Sequence, residues 1–238
     1  MATTAFCNSA KVELLQGAHC FNATQSGITG TTSNTVFTIT GLATVVGLSV
    51  GMAVTGTNIP AGAVIASIDS ASQVTMSKAA TGAAGSTIAF TGDLFKMLLI
   101  KSGPTRTFDG TQTNVGTPGT ASPTATNVGT DETSGAGYTT GGTLLVNVTP
   151  TLSTTTAITN FNPSPSWTSA SFSTTAGIIY NNSVRLGSAN GITANASGSA
   201  IGRTISVHDF GGTQTVTSGT FTAVMPVAAA GTAILQIA

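Results

Sequence analysis

The chain has 238 residues, and 7 Lys and Arg stand against 7 Asp and Glu, so its formal net charge is zero. Charged residues make up 6% of it, against about 25% in ordinary soluble domains, whereas Thr (46), Ala (32), Gly (29) and Ser (24) together make up 55%. The three arginines, at 106, 185 and 203, form no cluster, which disfavours nucleic acid as a partner because phosphate binding replaces counterions with grouped Lys and Arg.

An apolar content of 40% suffices for a core of small and β-branched side chains, and argues against wholesale disorder. The best continuous apolar run, Gly41 to Val54, is 14 residues long and includes Thr44, Ser49 and three glycines. It is too short for a membrane-spanning helix, and no membrane partner is expected. Met1 to Ala10 shows neither a basic n-region nor an apolar h-region, so no secretory signal is read there and assembly in a cytoplasm is expected.

In chain order, the first predicted element is a short helix over about residues 9–18. Lys11, Val12, Glu13, Leu14, Leu15, Gln16 and Ala18 favour it, and Asn8 or Ser9 is available as N-cap. Cys7 and Cys20 bracket this segment. A helix between them holds their Cα atoms roughly 20 Å apart, beyond the reach of a disulfide, so free, partly buried thiols are expected.

From Thr35 onward the text changes to short β-type runs separated by Gly, Pro, Asn and Ser, a spacing that predicts an all-β fold. Five strands are predicted in one block: Thr35 to Thr40, Thr44 to Val50, Ala63 to Asp69, Gln73 to Ser77 and Thr87 to Thr91. A second set comprises Phe95 to Lys101, Thr143 to Val148, Ala157 to Phe161, Trp167 to Ser173, Gly177 to Asn181, Thr204 to Phe210, Gln214 to Met225 and Thr232 to Ile237. The organisation read from this is a framework of residues 1–24 and 93–238 with a small β-domain inserted over 25–92. Residues 102–142 hold few apolar side chains, and so long a connection reads as an extended arm or mobile loop that could lie on a neighbour. Residues 186–202 read as a second surface loop.

Chemistry-bearing constellations are sparse, and no residue is assigned a catalytic, cofactor-binding or metal-binding role. His208 and Asp209 are adjacent, but successive residues of a strand point to opposite faces, so they are not expected to bond to each other. His19 beside Cys20 lacks the partners of a nucleophilic site. Asp131 and Glu132 fall in the arm without a calcium-loop pattern, and no His or Cys spacing suits zinc. Glycosylation sequons at Asn22, Asn147, Asn181 and Asn195 are what a Thr- and Ser-rich chain yields by chance. Trp167, following Pro163 and Pro165, is read as a core anchor.

Several phrases stand in order along the chain: Lys11-Val-Glu-Leu-Leu-Gln-Gly-Ala-His19 followed, once the block is removed, by Leu94-Phe-Lys-Met-Leu-Leu-Ile-Lys101; then Asp131-Glu132 through Tyr138 to Gly142; Trp167 to Phe172 running into Ala176-Gly-Ile-Ile-Tyr180; Asp209-Phe-Gly-Gly-Thr; and Gly219-Thr-Phe-Thr-Ala-Val-Met-Pro226 before Ala233-Ile-Leu-Gln-Ile-Ala238. Together they resemble those of a family of tailed-bacteriophage virion structural proteins. Within the block, Gly47 to Gly56, Ile59-Pro-Ala-Gly62 and Val64 to Ile68 resemble a small β-module of phage tail and virion proteins. The connections around Pro118 to Thr130 and Gly191 to Ser199 are longer than that pattern.

The resemblance implies an antiparallel β-sandwich or jelly-roll-like framework with an inserted β-barrel-like domain. It implies a non-enzymatic decoration or cement protein on the capsid exterior, with the major capsid protein and further copies of itself, as a trimer by analogy, for partners and with no cofactor. The alternative is a tail- or fibre-associated adhesin recognising the host surface. Against that, the block offers only Phe37 and Phe90 as aromatics.

Overall fold

The structure, a computed structural model, describes residues 1–183 and 202–237. Arg185, the Asn195 sequon and all but Gly202 of the loop expected over 186–202 lie outside the described residues. In chain order the elements are β1 (Ala5–Phe6), α1 (Asn8–Leu15), β2 (Gln25–Thr32), β3 (Thr38–Ile39), β4 (Ala53–Gly56), β5 (Ala63–Ser70), β6 (Gln73–Met76), β7 (Ala84–Thr91), β8 (Phe95–Lys101), a 3₁₀ turn (Gly129–Asp131), β9 (Thr143–Leu144), β10 (Asn147–Ser153), β11 (Thr156–Phe161), β12 (Ser166–Asn181), β13 (Arg203–Thr222) and β14 (Leu235–Ile237). The fold is all-β, with antiparallel sheets and one α-helix among the described residues.

The chain divides into two compact units. One comprises Met1–His19, Leu94–Val146 and Leu152–Ala238, and the other Cys20–Asp93 with Asn147–Thr151. The second unit thus takes in 20–24, Asp93 and 147–151 as well as the 25–92 block.

The first unit is built on a five-stranded sheet ordered β1-β13-β12-β8-β9. Its most apolar strand is β8, next to the central β12, where Phe95, Met97, Leu98, Leu99 and Ile100 are all buried. Such a near-continuous apolar run is what a strand covered on both faces requires. Register places Ile178 opposite both Leu98 and Val207, and Gly177 opposite both Leu99 and His208. Two pairs of predicted strands fuse here: Trp167–Ser173 with Gly177–Asn181 into β12, and Thr204–Phe210 with Gln214–Met225 into β13. Register shifts between Thr174 and Ala176, with Gly211 and Gly212 at positive φ, bend these strands without ending them. A smaller pair joins β11 to β14, with Ile158 opposite Gln236.

The helix differs from its expected span. It starts after Cys7, which gives no side-chain cap, and stops at Leu15. Gly17 at φ +67° stops it: the Ala18 N–H donates to the Glu13 carbonyl and the Gly17 N–H to the Leu14 carbonyl, the paired bonds of a Schellman motif. Both cysteines are free and buried.

The stretch expected as an arm is folded against its own unit. Phe108, Val115 and Val128 are buried, and backbone bonds run from Val128 to Val115, Val115 to Gly202 and Thr133 to Leu99. These three apolar anchors, with buried Gln112, Asn114, Asp131, Glu132 and Thr133, replace the apolar periodicity whose absence made the segment read as unattached.

The second unit is a six-stranded antiparallel sheet ordered β2-β7-β4-β5-β6-β3 around Ile28, Ile39, Met52, Ile65, Val74, Met76, Ile88 and Phe90. Thr44 to Val50 forms turns in place of the predicted strand, and of Thr35 to Thr40 only Thr38–Ile39 forms a strand, with Thr40 bridging singly to Thr31. Gly41, Gly47 and Gly51 all take positive φ, which breaks an otherwise β-like run of apolar residues. In return β2 and β4, rich in Gly and Thr, are strands that no pattern announced.

Candidate functional site

The densest group of ionisable side chains in the first unit lies where α1 ends. The Schellman turn reverses the chain after Gly17 and returns the His19 ring to the helix, where Nε2 sits 2.8 Å from Glu13 Oε2. Arg203 Nη1 donates to the other oxygen, Glu13 Oε1, at 2.5 Å. On the far side of the ring, Asn181 Nδ2 lies 3.0 Å from His19 Nδ1. The Asn181 amide is oriented by the Ser183 N–H, which donates to its Oδ1 at 2.7 Å. Because Nδ2 can only donate, Nδ1 accepts and Nε2–H donates to Glu13. Burial pushes the Glu13 carboxyl up, but the His19 hydrogen bond and the Arg203 charge and hydrogen bond outweigh it and hold the group below the ordinary carboxylate range. Both ring nitrogens and both carboxylate oxygens are committed to protein groups, so the cluster ties α1 to β12 and β13 and leaves no base for a substrate proton.

Asp131 and Glu132, placed by the sequence in the arm, are adjacent and face different surroundings. Asp131 is wholly buried and accepts from the Thr105 N–H at 2.9 Å, the Thr105 hydroxyl at 3.0 Å and the Arg106 N–H at 3.0 Å, with Lys101 Nζ 3.0 Å away. Burial raises its pKa, and the Thr105, Lys101 and Arg106 bonds together lower it further, leaving it below the usual range. Glu132 Oε1 accepts from the Tyr138 hydroxyl at 2.7 Å and the Gly141 N–H at 2.6 Å, while Oε2 is buried with no hydrogen-bond partner. There burial dominates and holds the carboxyl above the usual range, despite the Tyr138 and Gly141 bonds and the Lys96 charge. Tyr180 extends the network by donating to the Gly141 carbonyl at 2.6 Å.

His208 and Asp209 are not brought together. His208 Nε2 bonds to Ser206 Oγ at 2.8 Å, two residues back on the same face of β13, while the Asp209 N–H donates to Thr4 Oγ1. Burial lowers the His208 imidazole to about 4. Ser206 is 1% exposed, so this Ser–His pair presents no nucleophile to solvent. A cavity of about 310 Å³ beside it is lined by Met97, Phe210, Met225 and Pro226 together with His208 and Asp209, and the Asp209 carboxylate accepts from the Gly211 N–H rather than from the imidazole. Trp167 is buried, stacked on Tyr138 at 6.3 Å and close to Phe221. Burial pushes the Cys7 thiol up to about 11, against reactivity. Among the described residues no three His, Cys, Asp or Glu side chains stand close enough to hold a metal ion.

Compared with family models, curated proteins and solved structures, the chain matches none.

The Glu13–His19–Arg203 group escaped the sequence reading, although one signal was present. Gly17 after a helix of good formers marks a reversal that can fold His19 back onto Glu13; nothing local announces Arg203. Several large apolar side chains also lie open to solvent. Leu15 is 90% exposed and Val12, one turn earlier on α1, is exposed with it; Val224, Val227 and Ile237 stand out from the stretch Ala223 to Ala238, which carries no charge; Val46 and Val50 do so on the second unit.

Proposed function

We propose that this chain is a non-enzymatic structural protein of a tailed-bacteriophage virion, a decoration or cement protein that binds the outside of the assembled capsid and bridges capsomers. One observation carries the proposal: a chain with 6% charged residues leaves Leu15, Val46, Val224 and Val227 at least three-quarters exposed, while the buried ionisable groups described above are engaged in holding the fold. Apolar side chains of that size left in water are available as contact surface for a larger body. The order of phrases that resemble those of virion proteins supports the same role.

The mechanism is mass action. A subunit that binds only the assembled shell stabilises it by about 2.7 kcal/mol when its free concentration is a hundred times its Kd, and copies that bridge capsomers add avidity. With few charges, attachment rests on apolar burial and backbone hydrogen bonds, so it persists in high salt. Quantitative mass spectrometry of purified particles tests the proposal. Hundreds of copies per particle, retained in 1 M salt, are expected. A few to a dozen copies places the chain on the tail or a fibre, and absence from particles or release by salt overturns the cementing role.

A further inference from the structure

We infer that the outer edge of β13 between Thr213 and Thr217 is a strand-pairing surface for a second copy of this chain. One side of β13 is paired along its length with β12, including Thr215 opposite Ser173 and Val216 opposite Phe172. The other side is closed only in its first part. There Asn114 bridges to Arg203, β1 pairs antiparallel with Ser206 and Val207, and Thr4 meets Asp209. Past Asp209 no strand among the described residues pairs with that side, although β13 continues to Thr222.

Gly211 and Gly212 at positive φ, and Ser218 at φ +50°, bound a regular stretch from Thr213 to Thr217. Thr213, Gln214, Thr215 and Thr217 are exposed and Val216 is half-buried. Sheet edges are ordinarily blunted by Lys, Pro or an inward charge. Phe210 to Thr222 contains no charged residue and no proline, so outward N–H and C=O groups are left as a template for another strand.

The chemistry selects a second copy as the occupant. Two uncharged edges meet without like-charge repulsion, whereas a charged partner finds no countercharge here. An antiparallel pair about a two-fold axis at Thr215 sets Thr215 against its equivalent and each Thr213 against a Thr217, and Thr–Thr cross-strand pairs hydrogen-bond favourably. Upstream, β1 demonstrates that this edge takes an antiparallel strand. Five paired residues a side fall short of the roughly 1,000 Å² of a stable free-standing interface, so the contact is weak in dilute solution and fills where copies are concentrated. It deepens the cementing role proposed above, and rests on it for that crowding.

Sedimentation velocity of the full chain from micromolar to millimolar concentration tests the edge. A reversible monomer–dimer equilibrium is expected, weakened at least tenfold by Thr215→Lys and by Thr215→Glu separately and restored when those two variants are mixed in equal amounts. Unchanged circular dichroism verifies folding. Because Thr215 bonds to Ser173 and Thr213 to Ser102, each at 2.9 Å, a second variant, Thr217→Lys, leaves both bonds in place and must also weaken association. A wild-type chain that stays monomeric throughout, or variants that associate as well as wild type, overturns the edge contact. Neither result touches copy number on particles, which tests the virion role separately.

Discussion

The two units solve the same compositional problem differently. In the second unit tight turns bring β2 to β7 around a core of aliphatic and thioether side chains with Phe90, and among the described residues its buried polar side chains are Thr32 and Asp93. In the first unit the long stretch from Ser102 to Gly142 offers few apolar anchors, and buried Asp131, Glu132, Gln112 and Asn114 hold it by hydrogen bonds. Apolar burial is indifferent to proton activity, whereas the contribution of a buried carboxyl changes as it ionises. The first unit, with Glu13, Asp131 and Glu132 buried and shifted, is therefore the more pH-sensitive of the two.

The largest break in this contrast comes from Asp131→Ala. It strands the Thr105 and Arg106 donors and the Lys101 ammonium, and we expect a loss of about 4 kcal/mol from the first unit, read by urea denaturation with hydrogen exchange resolved by segment. Next comes Met52→Ala in the core of the second unit, where the lost side chain leaves a cavity worth about 3 kcal/mol. The Asp131 group has a lowered folded pKa, so its contribution is present above the ordinary carboxylate pKa and vanishes as pH falls through the folded value. The cost of Asp131→Ala must shrink toward acid pH while that of Met52→Ala stays constant. Equal pH dependence in the two would erase the distinction between the units.

Glu132 sharpens the contrast because its sign is opposite. Its raised folded pKa gives stability that is full below the ordinary carboxylate value and is lost as pH rises through the folded one. Glu132→Gln keeps an oxygen for the Tyr138 hydroxyl and the Gly141 N–H, and it removes a carboxylate whose second oxygen has no partner. We expect a change within about 1 kcal/mol at neutral pH, far below that of its neighbour; a loss as large as that of Asp131→Ala would show that Glu132 works as a fully compensated anion.

These outcomes also mark what the residues alone could announce. β8 was legible because the four apolar positions Met97 to Ile100, flanked by Lys96 and Lys101, read as a short covered strand, and β5 and β6 were legible from alternation between turns. β2 and β4 were not, because Gly and Thr carry no periodic apolar signal even when Ile28 and Val54 point inward. Ser102 to Gly142 was misread for a related reason: its attachment comes from side-chain bonds such as Asp131 to Thr105, which link positions 26 residues apart and leave no pattern in a window. The polar cluster at α1 depends on Arg203, brought in from the other end of the chain by the pairing of β13 with β12.

The smallest effect on stability tests which unit meets the larger body. Leu15 on α1 and Val46 in a turn of the second unit are 90% and 80% exposed, so Leu15→Ala and Val46→Ala should each shift stability by less than about 0.5 kcal/mol. Val12 and Leu15 are three residues apart and form one apolar ridge along the helix, while Val46 stands on a turn closed by the Leu48 N–H bond to the Val45 carbonyl. A ridge on a regular element is the better anchor, because its side chains are already held at fixed spacing before contact. Retention on purified particles should therefore fall with Leu15→Ala and be unaffected by Val46→Ala. The reverse pattern would transfer the attachment to the second unit and leave the first as scaffold.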